Sequence, residues 1–338
     1  MADVRALVPA VVEAATRAPS VHNTQPWRFV ARDDVVELWD DPARGLPVLD
    51  PDGRARLISC GAALALAEVA AAGLGVSTRT TLLPDGGTPE HLADLQLGAS
   101  QAPDDAQRAL AAAIGRRHTE RGAFDESVDL PPETVRALAS AVEANGCLLR
   151  VVESPDDAAA VTVLLARADD VQSRDPAYRD ELRQWTGRDP DSSDGIPVSA
   201  VPSEAPAERG SSYRLRDFDA DRGDPDRGDR GPQWVDEPPR AEHPLVVVIG
   251  TAADDAAAWL AAGQALGRLL LTATTRGLAA SPMTQALEVQ DTRARLGRDL
   301  GLVGHPQVVL RLGLAAPGST AAVGHANRRS VAEVLETR

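Results

Sequence analysis

One chemical suggestion in this sequence is a five-residue run. Arg117, Thr119 and Arg121 alternate, so in an extended segment their side chains point to one side. Two guanidinium forks with a hydroxyl between them suit bidentate capture of a phosphate. Near the C-terminus Arg328 and Arg329 offer a second pair. The spacing alone serves equally well for solvated surface charge, since the chain holds 35 basic residues. A second run, Ala18 to Trp27, reads APSVHNTQPW. Here Ser20, Asn23 and Gln25 put a hydroxyl and two amides on a loop bracketed by Pro19 and Pro26. An amide both donates and accepts, which matches the alternating acceptor–donor–acceptor edge of a pyrimidine-like ring. The same composition fits a rigid turn whose polar groups satisfy their own backbone.

Several chemistries are excluded by what is missing. The 338 residues contain no lysine, so lysine Schiff-base chemistry, the P-loop and the kinase lysine are all ruled out. Cys60 and Cys147 are far apart and form no CxxC, which excludes iron–sulfur ligation and a Cys-rich zinc site. No GxGxxG follows a strand and there is no GxSxG elbow. The six histidines (His22, His91, His118, His243, His305 and His325) show no metal-ligand spacing, so no metal is expected. His22 and His118, beside the two runs, read as polar neighbours rather than as acid or base. A net charge of −15 and only 3% aromatic residues disfavour nucleic-acid and anionic-membrane partners.

The elements that must position these residues follow from periodicity. Residues 4–17 read as a helix ended by Pro19, and 27–31 with 35–39 as a hairpin across Arg32-Asp33-Asp34. Cys60 to Gly75 is an Ala-rich buried helix with Gly73 at its C-cap, residues 84–87 are a turn, and 91–98 end in a strand. Further helices are expected at 106–114, 133–145, 158–178 and 254–276, and strands at 147–153, 245–250 and 306–314. The stretch from about 186 to 242, rich in Asp, Gly, Pro, Ser and Arg, reads as a mobile insertion, because such composition buries too little apolar surface to offset ordering entropy. Length fits about two units at the usual ~100–200 residues each. The N-terminus carries Asp3 and Glu13 where a signal peptide would be basic and then apolar, so a cytoplasmic location is expected.

There is also an internal echo. CGAALALAEVAAAGLG (60–75) parallels AGQALGRLLLTATTRGLA (262–279). Gly61, Ala63 and Leu64 fall opposite Gly263, Ala265 and Leu266 at a constant offset, and Gly73-Leu74 falls opposite Gly277-Leu278 after a two-residue slip. Two related halves packed about a pseudo-twofold axis would produce this pattern.

These segments carry a resemblance. APSVHNTQPW resembles the APSxxNxQPW signature of the FMN-dependent nitroreductase superfamily, and RHTER (117–121) followed by Phe124 resembles its phosphate-binding segment. In ordinary members the phosphate segment precedes the APS loop, and the two meet on one flavin across a homodimer interface. Here the order is reversed within one chain, as in the Acg subfamily, which 259–288 and 306–313 also resemble. The resemblance implies an α+β, nitroreductase-like fold of two fused halves, residues 1–105 and 106–338, with mixed sheets flanked by helices.

It further implies FMN as cofactor, held at its phosphate by Arg117, Thr119 and Arg121 with Arg328 or Arg329 assisting. Pro19, Ser20, Asn23 and Gln25 would contact the flavin, and the turn Ser281-Pro282-Met283-Thr284 would pass a backbone N–H to flavin N5, where a fixed donor orients and polarises the hydride acceptor. The second half lacks an APSxxNxQPW (residues 143–152 read EANGCLLRVV) and the first lacks an RRSxR-like opening, so one flavin per chain is expected. The activity implied is hydride transfer from NAD(P)H to a small electron-poor acceptor by a monomer or weak homodimer. The rivals are a non-catalytic protein that sequesters FMN beneath the 186–242 insertion, and a tailoring oxidase acting on a particular metabolite.

Overall fold

The computed structural model describes residues 4–122, 124–125, 130–197, 213, 216, 218, 242, 244–316 and 326–338. Helix α1 (Val8–Thr16) leads into the APS loop, and β1 (Trp27–Arg32) and β2 (Val35–Asp40) form the expected antiparallel hairpin. Then come α2 (Arg54–Gly73), β3 (Val76–Leu82), β4 (His91–Ser100), α3 (Asp105–Ala113), α4 (Pro132–Glu143), β5 (Leu148–Val151), α5 (Pro155–Arg174) and α6 (Pro176–Trp185). The remaining elements are β6 (Leu245–Thr251), α7 (Ala256–Thr275), β7 (Ala279–Pro282), the single turn α8 (Gln285–Glu288), α9 (Gln290–Asp299), β8 (His305–Gly313), α10 (Val331–Val334) and β9 (Leu335–Thr337).

Two sheets result. One runs β3-β4-β2-β1-β9 and is antiparallel except where the C-terminal β9 lies parallel to β1. The other runs β5-β6-β8-β7 and is antiparallel throughout. The first is therefore mixed, and a parallel bridge between Thr119 and Ala280 joins the edge of the second.

Between the sheets α2 packs on α7, and 16 of the 20 residues of α2 are buried. Small residues make this contact possible. A Cβ on Gly61 would lie 2.1 Å from Leu260 O, and one on Gly263 would lie 2.1 Å from Ile58 O. Glu68 of α2 accepts hydrogen bonds from Gln264 (3.0 Å) and Arg268 (2.7 Å) of α7. Helix α2 starts earlier than its apolar pattern because the Asp50 carboxylate accepts from the amides of Ala55 and Arg56, as a capping group does. It ends at Gly73, and the left-handed position is Gly75, at φ +78°, rather than Gly73. Gly73 is instead needed for contact, since its Cβ would meet the Ala111 Cβ at 2.4 Å.

The helix expected at 158–178 divides into α5 and α6. Pro176 cannot continue the first, and Asp175 caps the second by accepting from the Ala177 amide.

A buried charge fixes the segment that carries the alternating arginines. Arg311 on β8 is wholly buried, pairs with Glu242 at 2.9 Å and donates to Gly122 O at 2.7 Å. Glu242 in turn accepts from the Phe124 amide at 3.0 Å. Just upstream, Glu120 donates its amide to Ala280 O on β7 at 2.9 Å, and Thr119 bridges to Ala280 in parallel. Residues 117–121 are thereby held extended along the edge of the second sheet.

Candidate functional site

One cleft of about 230 Å³ gathers the two sequence runs. Pro19, Ser20 and Asn23 come to it from the loop after α1, and Arg117, Thr119 and Arg121 from the extended segment. Pro282, Met283 and Thr284 arrive from the end of β7, and Arg328 from the C-terminal stretch. Asn23 and Arg121, nearly a hundred positions apart in sequence, thus face the same space. Arg117, Thr119 and Arg121 line the cleft as the alternation predicts, but His118 between them lines it too, and only Glu120 is fully buried away from it.

Two expected residues stand behind this wall instead. Gln25 is fully buried; its Nε2 donates to Ser193 O at 2.8 Å, and its Oε1 accepts from the Arg329 amide at 2.8 Å. Arg329 donates from its guanidinium to Glu333 O at 2.8 Å. Both side chains tie backbone segments together, so they support the loop without lining the cleft. The expected turn is also narrowed. Met283 gives its N–H to Val309 O at 2.9 Å and Pro282 has none, which leaves Thr284 to present the next amide.

Four guanidinium groups set the electrostatics of one end. Arg17, Arg117, Arg121 and Arg328 all line the cleft. Burial pushes Arg117 down to about 10. Arg328 falls to about 9 through burial and then repulsion from Arg117, Arg17 and Arg121. Arg117 donates to Arg17 O at 3.0 Å, and the Nε atoms of Arg117 and Arg328 are buried without a hydrogen-bond partner. Like charges held together in low dielectric are stabilised by an anion between them, and a phosphate has the charge and geometry to serve.

Further along, Asn23 Oδ1, both ring nitrogens of His22 and Gln285 Nε2 are also buried without partners among the described residues, and all three residues line the cleft. Unpaired buried polar atoms are rare in native proteins. Their concentration here fits heteroaromatic or carbonyl-bearing ligands that lie beyond the arginine-rich end of the cleft.

The APS loop is strained to make this wall. His22, Asn23 and Gln25 take φ of +47°, +55° and +52°, conformations that non-glycine residues rarely adopt and that cluster at functional sites. Its tethers hold it there. Asn23 Nδ2 donates to Gly195 O at 2.9 Å and to Asn327 O at 3.2 Å, and Ser20 Oγ accepts from the Gln25 amide.

Much of the insertion expected to be mobile lies outside the described residues, but several of its residues pack against the cleft. Ile196, Arg216 and Phe218 line it. Both Glu288 carboxylate oxygens accept from Arg216 Nη2 at 2.6 Å, and Arg216 also donates to the Tyr178 hydroxyl. Burial works against the Glu288 carboxylate, yet Arg216 holds it below its usual range. Phe218 stands edge-on to His22 at 6.1 Å, with the Arg121 guanidinium 5.4 Å from its ring centroid. Composition hid these residues; the aromatic and basic positions in SSYRLRDF (211–218) are the one local signal that could have found them.

Arg54, at the start of α2, also escaped sequence reasoning, because nothing near it marks it as functional. It lines the cleft, donates to Gln307 O (2.8 Å) and Leu287 O (3.2 Å), and is lowered to about 10 by burial and then Arg293. Away from the cleft, Glu37, His91 and Asp94 place ligand atoms within 4.8 Å of one another, a grouping that the histidine spacing did not suggest. Glu37 is taken up by Trp39 Nε1 (2.9 Å) and Arg32 (2.8 Å), and His91 pairs with Asp94 at 2.8 Å.

With an α+β fold of two sheets about paired helices, and an arginine-rich cleft built from distant parts of the sequence, the chain belongs to the nitroreductase family, whose description matches residues 114–314. Over 96% of its length it is 36% identical to the Mycobacterium tuberculosis H37Rv protein Rv3131, of which it covers 90% and whose name assigns it provisionally to the NAD(P)H nitroreductases. The acg protein of the same organism, named in the same way, is 31% identical over 98% of this chain and 96% of its own length. The crystal structure of the FMN-dependent nitroreductase NfnB from Mycobacterium smegmatis in complex with NADPH aligns with 69% of this chain and 99% of its own, at 16% identity and a TM-score of 0.43.

Proposed function

We propose that this protein is an FMN-dependent oxidoreductase that passes hydride from NAD(P)H to a small electron-poor acceptor. The observation that carries the reading is the convergence of Arg117, Thr119 and Arg328 with Asn23 and Thr284 on one cleft. The names of the full-length relatives support both the flavin reductase class and the nicotinamide donor. Bound FMN supplies the hydride-accepting ring, chemistry that no side chain provides.

The chain's own residues bind and orient. Arg117 and Arg328 neutralise the phosphate with charge-assisted bonds, and Thr119 adds a hydroxyl. Asn23 Oδ1 meets a donor on the ring edge. The Thr284 amide would serve as the backbone donor to the bound ring. Arg121 acts on both Arg328 and His22, so it adds positive charge between the phosphate end and the rest of the cleft. Phe218 and Ile196 keep water from the cleft. No side chain is assigned as a proton donor.

The chain acts as a pseudo-dimer in this reading. One half contributes the APS loop and the other the phosphate segment, so one polypeptide completes the site. A second reading, FMN sequestration without turnover, is favoured by Arg216 and Phe218 lying in the cleft where a nicotinamide would approach. Visible absorption of the purified protein, followed by NADH and NADPH oxidation with a nitroaromatic or quinone, separates the two. A yellow protein that turns over is the expected result. A yellow protein reducible only by dithionite establishes sequestration, and a colourless one that takes up no FMN overturns both.

A further inference from the structure

His22 is 7% exposed, lines the cleft, and has no hydrogen-bond partner at either ring nitrogen among the described residues. A left-handed backbone, locked by the Asn23 and Gln25 contacts described above, holds it there. We propose that His22 is the residue that recognises the electron acceptor, donating a hydrogen bond from its imidazole to a carbonyl or nitro oxygen of a planar quinone or nitroaromatic lying against Phe218. This inference rests on the flavin reading above and names the contact that reading leaves open.

The surroundings of His22 decide between cofactor and acceptor. Of the charges that act on it, Arg216 from the insertion is the largest, opposed by Glu288 from α8 and followed by Arg121 from the extended segment. Its ring neighbour, Phe218, also comes from the insertion. His22 thus belongs to the side of the cleft that the insertion lines, and a second molecule must reach the flavin from a side other than the phosphate end.

Burial and then Arg216 hold the imidazole down to about 3, against the opposing pull of Glu288, so it is neutral across the physiological range. A neutral imidazole always has one N–H to donate and one nitrogen to accept, and it suits an uncharged oxygen acceptor. Gln285, 1% exposed, presents an unpartnered Nε2 to the same cleft as a second donor.

The test uses the full chain loaded with FMN, oxidised and without reductant, titrated with 1,4-naphthoquinone while flavin absorption is followed. His22→Gly removes the imidazole at a φ that glycine adopts freely. His22→Asn tolerates the same φ and keeps a donor. The expected result is naphthoquinone binding about tenfold weaker in His22→Gly and within about threefold of wild type in His22→Asn, the loss of one hydrogen bond. FMN affinity should stay within about threefold in both, since only the acceptor contact is removed. Unchanged naphthoquinone binding in His22→Gly overturns the proposal, as does oxidised holoprotein that takes up no naphthoquinone. A parallel fall in FMN affinity also overturns it, by making His22 a cofactor contact. Failure of the underlying reading is distinct: the wild-type chain would not take up FMN, or Arg117→Ala would bind it as tightly, and the proposal would fall with it.

Discussion

Gly61 and Gly263 cross at the centre of the molecule, each facing the carbonyl three residues before the other. A side chain on Gly61 would strike Leu260 O and one on Gly263 would strike Ile58 O, both at 2.1 Å, and each Cβ would stand within about 3 Å of the other's Cα. Such reciprocity, residue i on j's neighbour and j on i's, is the geometry of an isologous interface. It falls on the two residues that the internal echo aligned, and it supports the proposal that the chain is a fused pair of related halves.

The crossing leaves no room for a methyl group. Because the obstructing atoms are backbone oxygens, neither Gly61→Ala nor Gly263→Ala can be relieved by a rotamer change. Each single substitution is expected to cost about 3 kcal/mol in chemical denaturation, at the upper end of overpacking. The double variant should cost less than the sum, since one separation of α2 from α7 accommodates both methyl groups. A strictly additive double would mean that the two glycines do not share one contact.

Two arginines separate the cleft from its support. Arg117 lines the cleft and has no carboxylate partner among the described residues, so Arg117→Ala is expected to weaken FMN binding about 10- to 100-fold, the range for hydrogen bonds to charged groups. Arg329 is turned toward Glu333 O and Gln25 O, so Arg329→Ala should leave affinity within about threefold, an indirect loss only. Titration of flavin fluorescence measures both, and equal losses would contradict the placement of Arg329.

How much was legible in the sequence follows the same division. The hairpin, the Ala-rich helices and the alternating arginines were readable because their periodicity is local. Asn23 and Arg117 were identified from their sequence context. Gln25 and Arg329 sit in equally suggestive positions, yet they hold each other's backbone, a long-range pairing that spacing does not encode. Strand β9 is three residues long and β7 four, too short for an alternation to show. Arg54, Arg216 and Gln285 reach the cleft only through tertiary packing, and the polar composition around Arg216 pointed the other way.

Asp40 gives stability a pH dependence of predictable sign. Burial lifts its carboxyl to about 6, although Arg56 Nε, 3.1 Å away, opposes the shift. The folded value lies above the unfolded one, so the native state retains this proton between about pH 4 and 6 while the unfolded chain releases it. The contribution of Asp40 is fully present below pH 4 and is lost as pH rises through 6. Asp40→Asn should therefore gain about 2 kcal/mol relative to wild type between pH 4.5 and 7, read from denaturation midpoints at the two values. Glu288, held low by Arg216 against burial, acts only toward more acidic pH and leaves this window clear. A gap that does not change with pH would show that Asp40 keeps an ordinary carboxyl.

The Arg216–Glu288 contact tests what the insertion does at the cleft. Both groups are buried, the pair is bidentate from the carboxylate side, and Gln172 supplies a further donor to Glu288 at 2.7 Å. Removing one partner leaves a buried charge without its counterion, which costs about 3–5 kcal/mol if the other stays in place. In Glu288→Gln, Arg216 is expected to leave for solvent and take Phe218 from beside His22, because a surface segment relaxes more readily than a core. FMN should then dissociate about tenfold faster than from wild type, equivalent to about 1.4 kcal/mol of lost restraint, as followed by recovery of free-flavin fluorescence on dilution. If NADPH oxidation rises in the same variant, the insertion shields the cleft and the sequestration reading gains. If it falls with the flavin, Arg216 and Phe218 are part of a working site. An unchanged dissociation rate in a folded variant would show that the contact restrains neither.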